Sequence, residues 1–73
     1  MDAISVDTTV ETLLALVRAK LEKALRIAKA AEAYAISGRT RKGMEVALSL
    51  EPIVHELNTL LNAVSMINRL GKS

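Results

Sequence analysis

The stretch SGRTRKG, Ser37 to Gly43, interrupts two long apolar patterns close to the middle of a 73-residue chain. It reads either as a basic loop that grips something anionic or as the bend on which the chain folds back. On its N-terminal side, Val10, Leu14, Val17, Leu21, Ala24, Ala28, Ala31 and Ala35 follow one another in alternating steps of four and three. On its C-terminal side, Val46, Leu50, Ile53, Leu57, Leu60, Val64 and Ile67 do the same. That spacing marks one face of a helix. Laid antiparallel, the two series match Val10 with Ile67, Val17 with Leu60 and Ala24 with Ile53, and their symmetry point falls at Gly38–Arg39. The bend therefore accounts for the stretch whether or not its charges have a task.

Local signals place the ends. Thr8 and Glu11 have capping-box spacing, so helix 1 is predicted over about 8–37. Glu22 and Arg26 lie i,i+4 on its outer face and support it slightly. Gly38 suits the left-handed residue that ends a helix, the turn takes 38–40, and Thr40 is a candidate N-cap. Helix 2 follows over about 41–70, with Gly71 placed to stop it. Pro52 removes a hydrogen bond and discourages helical geometry before it, so helix 2 is expected to kink or break there with its heptad phase carried across. Arms of about 45 Å follow from roughly 1.5 Å per residue.

The prediction is an all-α antiparallel helical hairpin, one domain over 1–73. It leaves apolar surface over. Helix 1 carries a second ridge of Leu13, Leu16, Ile27 and Tyr34, with Lys20 inside the widened arc. Helix 2 adds Val54 and Leu61 on one flank, and Leu48, Met66 and Leu70 on the other. A surface helix needs an apolar arc of only about 100°. The surplus predicts a homo-oligomer, first of all a dimer closing into a four-helix bundle, with Leu13, Leu16, Ile27, Tyr34, Val54, Leu61 and Met66 as interface residues.

Composition agrees with packed helices: 51% of residues are hydrophobic, 25% are charged, and Tyr34 is the only aromatic. No cysteine is present, which excludes disulfides, thiolate metal sites and cysteine nucleophiles. A small domain without such staples often relies on association. The acidic start MDAISVDTTV lacks a secretory layout. The longest charge-free run, Leu57 to Asn68, has twelve residues, too few to span a bilayer. A cytoplasmic protein with no membrane segment is expected.

Little chemistry is visible. His55 is the single histidine, and it shares a stripe with Glu51, Asn58 and Asn62. A bundle metal site draws Glu-x-x-His from facing helices, and position 52 is Pro, so the stripe reads as a solvated face. The terminal GKS, Gly71 to Ser73, lacks the rest of a phosphate-binding loop, since Met66 stands where a Gly is needed. Ser5, Ser37, Ser49 and Ser65 show no adjacent base and orienting acid. No catalytic residue, metal or cofactor is predicted, and the chain is expected not to be an enzyme. Net charge is +2, yet residues 18–42 hold eight basic residues against Glu22 and Glu32. Arg39, Arg41 and Lys42 are therefore candidate anion-binding residues, and a nucleic-acid binder is the alternative function. Three cations make a small footprint for it, and no aromatics accompany them for stacking.

From Ala24 to Asn62 the chain resembles the middle of the flagellin-type export chaperones of the bacterial flagellar system. The matching positions are Ala30, Ile36, Gly38, Lys42, Ala47, Ile53, Val54, Glu56, Leu57, Leu61 and Asn62. The resemblance implies a helical scaffold that shields the helix of an export substrate, with the apolar ridges as its groove. The expected function is a small protein–protein interaction module that associates with itself and is capable of receiving a partner protein's helix.

Overall fold

The computed structural model describes residues 3–71, which form three helices joined by short turns, with no strand among them. The side chain of Ser5, together with Lys72 and Ser73, lies outside the described residues. Helix α1 (Ala3–Ile36) forms one arm; α2 (Thr40–Leu48) and α3 (Glu51–Gly71) form the other. The molecule measures 54 × 16 × 14 Å, the proportions of two helices side by side.

The turn follows from Gly38. Its φ of +90° is the left-handed conformation that a side chain would disfavour. The Gly38 N–H donates to Ala35 O at 3.1 Å, and the Arg39 N–H donates to Tyr34 O at 2.9 Å. These two bonds make a Schellman motif, which satisfies carbonyls that the end of α1 would otherwise leave open. Ser37 Oγ adds a second donor to Tyr34 O at 2.9 Å. Thr40 is not the N-cap of the second arm. It is the first residue of α2, and Arg39 precedes it with no side-chain capping bond.

Helix α1 also begins earlier than predicted. Thr8 lies inside it, and Thr12 Oγ1 donates to Thr8 O at 3.0 Å. Val6, one step of four before Val10, is half-buried, so the packed stripe continues past the capping-box signal and overrides it. Glu22 pairs back to Arg18 at 2.6 Å rather than forward to Arg26.

The second arm breaks just ahead of Pro52. Ser49 N–H donates to Val46 O and Leu50 N–H to Ala47 O, at 3.1 and 3.0 Å, both three residues back as in a tightened last turn. Ser49 Oγ bonds the same Val46 carbonyl at 2.5 Å. Pro52 then falls in the first turn of α3, where its missing N–H would have had no helical partner. Glu51 beside it favours the helix N-terminus electrostatically. Heptad phase survives the break: Val46, Leu50, Ile53, Leu57, Leu60, Val64 and Ile67 all face inward, and Ile53 is only 5% exposed.

The first arm presents a different stripe from the predicted one. Val10, Val17, Ala24 and Ala31 are half-buried as expected, but the alternate positions are Leu13, Lys20, Ile27 and Tyr34, while Leu14, Leu21, Ala28 and Ala35 are exposed. With one set of positions unchanged and the other moved back by one residue, the centre of the buried stripe is turned by about 50°, half of the roughly 100° that separates neighbours in a helix. Leu13, Ile27 and Tyr34 are thus spent on the contact between the arms and do not form the outward ridge predicted for them. Adjacent apolar pairs (Leu13–Leu14, Ile27–Ala28, Tyr34–Ala35) permit either phase, and the observed one turns the larger Ile27 and Tyr34 inward.

Near the turn the arms come close. A Cβ placed on Gly43 would stand 2.8 Å from Ala31 O and 3.3 Å from Ala35 N, so only glycine permits this approach. Gly43 and Ile53 are the buried residues among those whose burial is described.

Candidate functional site: an uncharged apolar flank

A two-helix hairpin has two flanks, and here they differ in chemistry. One is crossed by an ion pair between Lys20 Nζ on α1 and Glu56 Oε2 on α3. Leu16, His55 and Thr59 line the groove around it. Lys20 lies in the packed stripe and carries its ammonium out along its own stem to the rim, as long cationic side chains do. A hydrogen bond from Lys20, reinforced by the Lys20 charge and by Lys23 and His55, holds the Glu56 carboxyl below its ordinary value despite a small opposing effect of desolvation. Leu16, expected at an interface, belongs to this bridged flank. Met66 is exposed nearby on the same side of α3.

The opposite flank carries no charge at the positions next to the seam. On α1 these are Leu14, Leu21, Ala28 and Ala35; on the second arm they are Ala47, Val54, Leu61 and Asn68, each set recurring every seven residues. The antiparallel register fixed by Lys20–Glu56 and Gly43–Ala31 sets Leu14 level with Leu61, Leu21 with Val54, and Ala28 with Ala47. These are three apolar rungs that shrink toward the turn. Leu14, Leu21, Val54 and Leu61 remain 50%, 52%, 51% and 50% exposed, so the hairpin covers only half of each. Leu25 widens the flank on α1. Beyond the Leu61 rung the groove opens onto Val10, Val64, Ile67 and Asn68.

Of the predicted interface residues, Val54 and Leu61 lie on this flank. Sequence reasoning missed Leu14 and Leu21, assigning both to the inner seam. The available signal was the run of uncharged residues at those heptad positions in both arms, against Lys23 and Glu56 at the equivalent positions of the other flank.

The surface area points the same way. The chain exposes 5674 Å², where a compact monomer of 7.9 kDa would expose about 4,400 Å². The surplus of about 1,300 Å² exceeds the roughly 800 Å² that each partner contributes to an interface of ordinary size.

The basic turn is organised around Tyr34. The Arg39 guanidinium lies 5.2 Å and the Lys42 ammonium 6.0 Å from the ring centroid, within the range of cation–π attraction. Arg41 is exposed in the first turn of α2. Among the described residues no three His, Cys, Asp or Glu side chains are grouped as metal ligands, and no helix is long and apolar enough to cross a membrane. Compared with known protein families, curated proteins and solved structures, the chain matches none.

Proposed function

We propose that this chain is a non-enzymatic docking module that presents its uncharged flank to another helical surface, and that self-association is its first use. The supporting observation is the set of three apolar rungs, half-exposed at Leu14, Leu21, Val54 and Leu61 and free of charge at neighbouring seam positions. Contiguous apolar surface on this scale marks sites of protein contact. A hairpin with so small a core also gains stability from any partner that binds only the folded form. A partner's helix, as the likeness to export chaperones implies, would use the same rungs. On this proposal the module works in the cytoplasm.

Sedimentation equilibrium at tens of micromolar, roughly the range where weak dimers assemble, tests the proposal. We expect association and a melting temperature that rises with protein concentration. A well-folded monomer with a concentration-independent melt would remove self-association. The rival nucleic-acid reading through Arg39, Arg41 and Lys42 predicts gel retardation that is strongest at low salt. No retardation there eliminates it.

A further inference from the structure

We infer that the occupant of the uncharged flank is a second copy of this chain, stacked antiparallel so that each hairpin's turn lies against the other's open end. The inference rests on the docking proposal and adds the partner's identity and orientation. Two independent observations carry it.

The first is shape. The rungs run from large to small toward the turn: Leu14–Leu61, Leu21–Val54, Ala28–Ala47. The arms also close up in that direction, with room for no side chain between Gly43 and the Ala31 carbonyl. The hairpin is therefore a wedge. Two wedges stacked with turns together set leucine on leucine at one end and alanine on alanine at the other, leaving a gap near the turns. Stacked antiparallel about the middle rung, Leu14 meets Ala28 of the second copy, Leu61 meets Ala47, and Leu21 and Val54 each meet their own equivalents. Large opposite small is the arrangement that fills an interior evenly, and one twofold axis generates all of these contacts.

The second is charge. Asp7 and Glu11 precede every Lys and Arg of the chain, whereas Arg26, Lys29, Arg39, Arg41 and Lys42 crowd toward the turn. Turns together would bring both basic tips within a Debye length of each other, about 10 Å at ordinary ionic strength. The antiparallel stack instead brings the acidic start of each α1 beside the basic second half of the other. Opposite potentials then meet along the two α1 helices, a condition that selects orientation.

The chain has no cysteine, so Thr40→Cys, at an exposed site beside the turn, accepts a single spin label. Circular dichroism verifies that the labelled protein keeps its helices. With the middle rung as the symmetry point, the two labels should stand about 42 Å apart, from roughly 1.5 Å per residue along each arm. A short separation of about 20 Å or less, the width of packed helices, overturns the antiparallel arrangement and leaves self-association standing. Sedimentation of the labelled and unlabelled proteins as monomers, with no dipolar coupling, overturns both and assigns the rungs to a different protein's helix.

Discussion

Near the turn, the two arms meet through glycine and alanine; at the open end they meet through valine, leucine and isoleucine. The spacing of the stripes is the same in both regions, but the outcome is not. Where side chains are small, the backbones approach until Gly43 nearly touches the Ala31 carbonyl, and the positions beside the seam are alanines, with Ile36, Met44 and Leu48 exposed on the outer faces. Where they are large, α1 approaches α3 less closely than it approaches α2, and leucines just off the seam stay half in water. Two helices have one mutual contact line and cannot cover a wider apolar arc. The closed end of the hairpin therefore specifies its own shape, and the open end leaves beside its seam the leucines that the proposed partner would cover.

Breaking the closed end should have the largest effect. Gly43→Val places side-chain atoms against backbone, where neither neighbour can yield. We expect a cost of about 3 kcal/mol, the upper part of the range for overpacking, read as a shift in denaturant midpoint. If even Gly43→Ala melts like the parent protein, the close approach is wrong. At the open end, Leu21→Lys sits where the proposed stack brings two copies together on the middle rung. Losing half-buried leucine from both copies should cost about 3 kcal/mol in association, a weakening of roughly a hundredfold. Leu16→Lys, on the flank bridged by Lys20 and Glu56, should leave the dimer almost unchanged. Equal effects from the two lysines would erase the distinction between the flanks.

Smaller changes sharpen the same contrast. Gly38→Ala forces a side chain into the left-handed region and should cost about 1 kcal/mol, measured by thermal melting, without altering self-association. The weakest effect is that of pH on Glu56. Its folded pKa is lowered, so its stabilisation is fully present above the ordinary glutamate value of about 4.3. That stabilisation is lost as the pH falls through the lower folded value. Glu56→Gln should melt slightly below the parent at neutral pH, with the gap closing in acid. Because the pair is exposed, salt should shrink the gap as well. A gap that persists unchanged into acid would show that the ion pair contributes nothing.

Much of the hairpin was legible in the chain. The second-arm seam from Val46 to Ile67 came out as read, because the competing phase through Ala47, Val54, Leu61 and Asn68 begins on a small residue and ends on a polar one. Gly38 and Pro52 were equally plain, since each restricts the backbone itself rather than acting through neighbours. The first arm was harder. Leu13 beside Leu14 and Ile27 beside Ala28 satisfy two phases of the same pattern. A rule that keeps charge out of seams favours Leu21 over Lys20 and so selects the wrong one. The candidate interface inherited that rotation: Leu13, Ile27 and Tyr34 were assigned outward, and Leu14 and Leu21 inward.

Sequence alone determined that there are two arms, where the chain reverses, and that the second arm departs from a straight helix at its proline. These depend on backbone preferences and on spacing along one helix, which are local properties. Which stripe of α1 faces α3 depended on the other arm. A lysine on that stripe costs little when Glu56 waits across the groove at the rim, and a glycine becomes indispensable only when another backbone comes within a methyl group's reach of it. Both conditions join residues far apart in sequence, so only the packed pair of arms could decide them.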